Sequence, residues 1–137
     1  MRNKILCFSL VFVCFQVISA DLNNKSNFNS FLITLGKIES SNNPRAYNKK
    51  ENAIGIYQIR LLYFKDAQRI NPELKKYSHN DCYNPEISKL VVSAYILRYS
   101  KQNNIENWAK CHNGGLNYYK KTGKVKNNLE KYYRKFI

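Results

Sequence analysis

Glu39 is the residue whose position in this sequence most clearly suggests chemistry. It lies seven residues after Leu32 and four after Leu35, so in a helix its carboxyl group would share their apolar face. Such a group is either a partly buried acid paired with an arginine or lysine, or a general acid. An apolar environment disfavours the charged form of a carboxyl group, which can then hold and donate a proton near neutral pH. Cleavage of a glycosidic bond requires such a proton for the leaving oxygen.

The elements that would position Glu39 are mostly helical. A first helix is predicted by apolar residues at three- and four-residue steps: Phe28, Phe31, Leu32, Leu35 and Ile38. Residues 40–53 predict a loop, and we expect a small β-hairpin near residues 45–60, where the chain becomes apolar again. A second helix is predicted over residues 61–70.

The second half of the chain contains a strong helix start at Asn84, which precedes Pro85 and Glu86. We expect this helix to bury one face made of Ile87, Leu90, Val91, Ala94 and Leu97. A shorter helix over residues 104–111 is predicted to end at the glycine-containing residues 112–115. Two basic helices follow, and Val125, Leu129, Tyr132 and Phe136 are expected to pack on the core. The pattern predicts a mainly α, compact domain with a little β-structure.

The first 20 residues have the pattern of a signal peptide: a short basic segment, an apolar segment and a small residue before Asp21. The alternative is an uncleaved N-terminal anchor. We expect residues 21–27 to form a flexible arm and residues 28–137 to form the single domain. The protein is therefore expected to be exported to the periplasm, the cell envelope or the medium.

Two cysteines, Cys82 and Cys111, remain after removal of residues 1–20. An even pair in an exported domain predicts one disulfide. Together with His79 or His112 they do not make a recognisable metal-ligand spacing, so no metal site is expected.

The chain is strongly basic, with a net charge of +14 that becomes +12 when Arg2 and Lys4 leave with the signal peptide. Such a charge favours an anionic partner, and for an exported protein we expect an anionic cell-wall surface rather than nucleic acid. The alternative is a surface charge that serves solubility alone.

Further motifs stand in a fixed order behind Glu39. They are Glu39-Ser40-Ser41, Asn43-Pro44-Arg45-Ala46, Gly55-Ile56-Tyr57-Gln58-Ile59, His112-Asn113-Gly114-Gly115 and a tyrosine near the C-terminus, Tyr132 in preference to Tyr133. Over roughly residues 30–136, this order and spacing resemble the soluble lytic transglycosylases and goose-type lysozymes of the lysozyme-like superfamily. The sequence departs from that pattern at Tyr57, where methionine is usual, at His112, where another aromatic residue is usual, and at Gly114, where alanine is usual.

The resemblance implies a lysozyme-like fold that cleaves peptidoglycan strands without a cofactor. We expect the protein to be a monomer. It makes Glu39 the catalytic acid and gives supporting or substrate-binding roles to Ser41, Tyr57, Gln58, His112, Asn113 and Tyr132. Ser41 would hydrogen-bond near Glu39, and Tyr132 would approach it from the last helix.

Two reactions fit this resemblance. A lytic transglycosylase needs one carboxylate and releases 1,6-anhydro-muramyl products, whereas hydrolysis commonly uses two carboxylates. No second acid follows a motif, because Glu51 and Asp81 lie in turn-rich stretches and Glu86 belongs to a helix start. We therefore expect a transglycosylase; for a hydrolase, the second acid would be sought first at Asp66 and Asp81.

A different class of function is a cationic cell-wall-binding or membrane-active protein without activity, based on the basic, tyrosine-rich C-terminus. Tyrosines and lysines in that segment could also contact nucleic acid. The helical spacing of its apolar residues favours packing on the core instead.

Overall fold

The computed structural model describes residues 23–137. The predicted signal peptide lies outside the described residues, as do the first two residues of the predicted arm. The first helix, α1, covers residues 23–40 of the described chain, and Phe28, Phe31, Leu32 and Leu35 are buried on one face. Residues 23–27 of the predicted arm thus belong to α1. A helix that is already fixed by packing extends through polar residues at little cost, because only its nucleation is unfavourable.

A small antiparallel sheet follows, as the predicted hairpin region indicated. Its strands are β1 (Tyr47–Asn48), β2 (Ala53–Ile54) and β3 (Ile59–Arg60), in the order β1-β2-β3. The turn between β2 and β3 contains two left-handed residues, Gly55 with φ +77° and Gln58 with φ +50°.

The remaining helices are α2 (Leu61–Ile70), α3 (Pro85–Tyr99), α4 (Ile105–Gly114) and α5 (Gly123–Tyr133), with short 3₁₀ helices at Pro72–Lys76, His79–Tyr83, Tyr118–Lys120 and Arg134–Phe136. The helix start at Asn84 is confirmed, since its side chain accepts hydrogen bonds from the backbone N–H groups of Glu86 and Ile87. The described chain is thus mainly α with one small sheet.

The buried face of α3 differs from the predicted one. It is formed by Ser88, Val91, Val92, Tyr95 and Ile96. Leu90 and Leu97, expected inside, are 51% and 56% exposed. The prediction counted only apolar residues and therefore omitted the polar Ser88. The predicted face is consequently shifted by about one residue from the buried one. Ser88 is buried because its hydroxyl donates to the carbonyl oxygen of Cys82 at 2.7 Å.

Two expectations about the C-terminal part also need correction. Helix α4 continues through His112 and Asn113, ends at Gly114 and is followed by Gly115, whose φ is +79°. These two residues therefore belong to the last helical turn rather than to a loop. In α5, Leu129 and Tyr132 are buried as expected, but Val125 is half exposed.

The core joins the two ends of the described chain. Trp108 of α4 packs edge-on against Phe28 of α1, with ring centroids 4.9 Å apart, and Phe31 stacks on Phe136 at 5.2 Å. This packing holds α1 and the C-terminal segment together. None of the helices described is long and apolar enough to cross a membrane.

Cys82 and Cys111 are buried as two free thiols, so the predicted disulfide is not present in this structure. Cys82 lies beside the Gly55 turn, whereas Cys111 in α4 lies close to Tyr63 and Tyr95. An even cysteine count says nothing about whether two side chains face one another, and these two serve as small apolar core residues. Burial raises the pKa of each thiol to about 12, which keeps both uncharged and unreactive.

Candidate active site

Glu39 lies in the last turn of α1, and the chain reverses immediately after it. Ser41 and Asn42 have left-handed φ values of 55° and 62°. Their backbone N–H groups donate to the carbonyl oxygens of Lys37 and Gly36 at 3.1 and 3.0 Å. The helix therefore stops just beyond Glu39, and its end is held firmly.

Ser40, rather than Ser41, makes the side-chain contacts of this turn. The Ser40 hydroxyl lies 2.8 Å from the carbonyl oxygen of Ile56 and 3.3 Å from that of Gly36, and it accepts from the Asn43 N–H at 3.1 Å. It thus joins the end of α1 to the sheet turn. Ser41 is exposed and does not line the cleft described below, so its expected role near Glu39 is not seen.

Two side chains from the second half of the protein contact Glu39. The Tyr132 hydroxyl from α5 donates to Oε1 of Glu39. Nε2 of His112, from α4, lies 3.9 Å from the same oxygen. The Glu39 side chain is 18% exposed and that of His112 only 5%. The carboxyl group is therefore mostly enclosed, with one oxygen already occupied by a donor.

The polar groups around Glu39 are held in their neutral forms. Burial lowers the pKa of His112, and the nearby carboxylate of Glu39 only partly opposes this effect. A neutral imidazole 3.9 Å away is a polar neighbour rather than an ion-pair partner. Burial, reinforced by the charge of Glu39, raises the pKa of Tyr132, so its hydroxyl keeps the proton that it donates.

Tyr63 of α2 completes this buried group and was not identified from the sequence. Its hydroxyl lies 3.2 Å from Nδ1 of His112, and its ring stacks on Tyr95 with centroids 3.7 Å apart. Burial raises the pKa of Tyr63 well above its usual range. In the sequence, this tyrosine is indistinguishable from the core aromatics on either side.

The cleft beside Glu39 is a cavity of about 90 Å³. It is lined by Glu39, Asn48, Glu51, Gln58, Arg60, Tyr63, His112 and Asn113. A second carboxylate therefore shares the cavity with Glu39. Oε2 of Glu51 accepts a hydrogen bond from Nε of Arg60 at 2.9 Å, and both side chains are about half exposed.

The sequence placed Glu51 in a turn-rich stretch and gave it no role, and that interpretation missed its position in the cleft. The two acids favoured instead lie elsewhere. Asp66 pairs with Arg69 at 2.7 Å, and Asp81 accepts from the backbone N–H of Ser78 at 2.6 Å, a bond that lowers its pKa. The sequence contained one indication that Glu51 lies near Glu39: the turn that carries Glu51 belongs to the hairpin that follows α1.

The other expected residues divide into two groups. Gln58 and Asn113 line the cleft. Nε2 of Gln58 donates to the carbonyl oxygens of Gly55 at 2.9 Å and Ala46 at 3.4 Å, and within residues 23–137 its amide oxygen has no hydrogen-bond partner. Tyr57 does not line the cleft, because its side chain is buried in the core.

Other cavities of the described chain differ in how they relate to this cleft. One of about 290 Å³ adjoins the cleft and shares Glu51, Arg60, Tyr63 and His112 with it. Another, of about 420 Å³, contains none of the cleft residues and is lined by Asn27, Asn103, Asn104, Ile105, Glu106, Trp108 and Tyr133. The site that contains Glu39 is therefore the smaller cleft with its neighbouring cavity.

The destabilase family profile matches residues 29–136, which include every residue of this cleft. The chain belongs to the destabilase family. This family is lysozyme-like, of the i-type, with muramidase and isopeptidase activities, so the protein is an enzyme of lysozyme type. The match supports the lysozyme-like superfamily but not the narrower resemblance to soluble lytic transglycosylases and goose-type lysozymes. No curated protein and no solved structure matches the chain.

Destabilase-type muramidases act on peptidoglycan, which fits a cleft that contains an enclosed acid and amide side chains. Among residues 23–137, no group of three or more histidine, cysteine or acidic side chains is arranged to hold a metal ion.

Proposed function

We propose that the protein is a muramidase that hydrolyses the MurNAc–GlcNAc bond of peptidoglycan, with Glu39 as the acid and Glu51 as the second carboxylate. The observation that carries this proposal is that both carboxyl groups line one cavity. Their surroundings differ, because Glu39 is enclosed by tyrosine and histidine whereas Glu51 is half exposed and bound to Arg60. Two carboxyl groups in contrasting environments are what glycoside hydrolysis requires.

The roles follow from these contacts. Oε1 of Glu39 accepts from Tyr132, so the transferable proton belongs on Oε2. Donation of this proton to the glycosidic oxygen lets the leaving sugar depart as an alcohol. The ionised Glu51, neutralised in part by Arg60, stabilises the positive charge that develops on the remaining sugar. Water then adds to that sugar, leaving a reducing end, and its released proton restores Glu39.

The transglycosylase mechanism expected from the sequence was based on the lack of a second carboxylate. Glu51 lines the same cavity as Glu39, so a second carboxylate is available and that reason no longer applies. The two reactions give products that differ by one water, since an anhydro ring forms only when the sugar's own hydroxyl replaces water. The experiment is digestion of purified peptidoglycan followed by mass spectrometry of the muropeptides. We expect reducing MurNAc ends, whereas predominantly anhydro products would support a transglycosylase.

Substitutions test the assignment of the acids. We expect Glu39→Gln and Glu51→Gln each to lower the rate at least about 100-fold, with the fold intact. Glu73→Gln, at an exposed position outside the cleft, is the matched control and should be unaffected. Full activity of Glu51→Gln would refute the role of Glu51. Wall binding by the wild type without any cleavage would favour the cationic binding protein.

We further propose that the protein acts outside the cytoplasmic membrane, on the basis of its N-terminal sequence pattern. Intact-mass measurement of the protein from its natural source should give a chain beginning at Asp21. A mass that includes residues 1–20 would support an uncleaved anchor.

A further inference from the structure

Arg60 lies where the catalytic cleft and the neighbouring cavity meet. It lines both cavities, together with Glu51, Tyr63 and His112. Its positive charge also acts on the buried groups of the site, since it lowers the pKa of His112 and opposes the increase in the pKa of Tyr132. A ligand that extends from the cleft into the second cavity must pass the Arg60 guanidinium.

The guanidinium of Arg60 is only partly used by the protein. Within the described chain, its hydrogen bond is the one from Nε to Glu51, which leaves the two terminal NH₂ groups. The side chain is 46% exposed, so these groups are accessible. Paired donors on a planar guanidinium match the two oxygens of a carboxylate.

The second cavity has walls that suit an anionic ligand with an apolar portion. Leu61, Leu62 and Tyr95 form its apolar surface. Two acidic residues also line this cavity, but each has a basic partner: Asp66 is bound by Arg69 and Glu51 by Arg60. Their charges therefore oppose a ligand carboxylate less than two unpaired acids would.

We propose that Arg60 binds a carboxylate carried by the glycan strand in the second cavity, which makes it a specificity-determining residue for this enzyme. This inference rests on the proposed function, since the substrate is a strand containing MurNAc. Each MurNAc has a lactyl group, whose carboxyl is either free or joined to a stem peptide that carries carboxylates of its own. Both sources present the same chemistry to Arg60.

Binding to a catalytically inactive protein tests this inference separately from catalysis. In a Glu39→Gln background, Kd is measured by calorimetry for the tetrasaccharide GlcNAc–MurNAc–GlcNAc–MurNAc with free lactyl carboxylates and for its neutral methylamide. We expect the carboxylate form to bind about tenfold more tightly. Arg60→Gln should remove most of this preference, and Arg60→Lys should keep part of it through its charge alone.

Two controls distinguish recognition from simple loss of charge. Arg98→Gln removes a positive charge from an exposed site on α3, outside both cavities, and should keep the preference. In Arg60→Gln, the Glu51 carboxylate loses its partner and could itself repel the ligand. The double variant Arg60→Gln/Glu51→Gln removes this carboxylate as well, and the preference should still be absent. If the double variant regained the preference, repulsion by Glu51 would explain the single variant and the inference would be wrong.

The remaining outcomes are equally decisive. No preference in the Glu39→Gln parent, or an unchanged preference in Arg60→Gln, overturns the inference. A tetrasaccharide with stem peptides as a third ligand identifies the source: tighter binding than the free-lactyl form indicates a peptide carboxylate, and weaker binding indicates the lactyl group. If Arg60 governs this preference but the active protein yields no reducing ends, the proposed hydrolysis fails while the inference stands.

Discussion

At the scale of single residues, Tyr132 has the most direct effect on Glu39. Its hydroxyl donates to Oε1 of the acid, and its pKa is raised so that the proton remains on the tyrosine. We expect Tyr132→Phe to lower kcat by about 10- to 100-fold, because a hydrogen bond to a carboxyl group that becomes charged in the reaction is lost. Steady-state kinetics on soluble peptidoglycan fragments measures this effect.

The adjacent tyrosine provides the control for this variant. The ring of Tyr133 lies 5.6 Å from the Lys110 ammonium group, and Tyr133 is absent from the cleft lining. Tyr133→Phe keeps that ring and should leave kcat within about twofold, because Tyr133 lies outside the cleft. Equal decreases in kcat in Tyr132→Phe and Tyr133→Phe would contradict the role of the Tyr132 hydroxyl.

His112 makes the stability of the protein depend on pH. Burial lowers its pKa below the ordinary value of 6.5, with Glu39 opposing the shift and Arg60 assisting it. The unfolded chain then binds the proton more readily than the folded one. The stabilising contribution is complete above pH 6.5 and is lost as the pH falls toward the lowered value, by at most about 1.4 kcal/mol per pH unit.

Calorimetric Tm values between pH 7.5 and pH 5 test this expectation. The decrease in Tm toward acid should be smaller in His112→Gln than in the wild type. Identical slopes for the wild type and His112→Gln would show that His112 is not the group that titrates.

The two cysteines lead to a prediction about labelling. Cys82 and Cys111 are buried free thiols whose pKa values are raised to about 12, so the native chain from Asp21 onward should not react with a thiol reagent. After unfolding without reductant, two thiols should react, and one should react in Cys111→Ala. No labelling of the unfolded wild type would mean that a disulfide forms after all.

At the scale of elements, local sequence patterns predicted what local physics determines. The helix of residues 61–70, the start at Asn84 and the hairpin region were all recognisable from capping, proline and periodicity. The errors occurred where tertiary packing decided the outcome. Residues 23–27 are helical because α1 is fixed by its core contacts, and α3 is rotated because Ser88 has a buried acceptor.

The turn between β2 and β3 depends on Gly55. A Cβ atom at this position would lie 2.1 Å from the carbonyl oxygen of Cys82, and φ is +77°. We expect Gly55→Ala to reduce the free energy of unfolding by about 3 kcal/mol, combining left-handed strain with a clash against rigid backbone. Urea unfolding measures the change.

Gly123→Ala separates these two causes. Gly123 has φ +54° but open space around its Cα, so only the conformational cost of about 1 kcal/mol applies. A similar loss in both variants would mean that the contact with Cys82 is unimportant.

At the scale of the whole molecule, the site is assembled from distant parts of the chain. Glu39 lies in the last turn of α1, Glu51 in the turn between β1 and β2, Tyr63 in the first turn of α2, His112 in the last turn of α4, and Tyr132 in α5. Ordered motifs could indicate several of these residues individually. Motifs could not indicate Glu51 or Tyr63, because their roles arise from the way the hairpin and α2 fold against the end of α1.

The charge of the whole chain leads to the last prediction. With a net charge of +14 for the whole chain and +12 from Asp21 onward, long-range attraction should hold the enzyme on anionic cell walls, in addition to the specific contacts of the cleft. Such attraction weakens when the Debye length decreases from about 14 Å at 0.05 M salt to about 4 Å at 0.5 M salt. We expect the Kd of the Glu39→Gln protein for purified walls to be at least about tenfold higher at the higher salt concentration. Walls stripped of their anionic polymers should bind it weakly at both concentrations. Tight binding to the stripped walls at high salt would instead assign the attachment to the cleft alone.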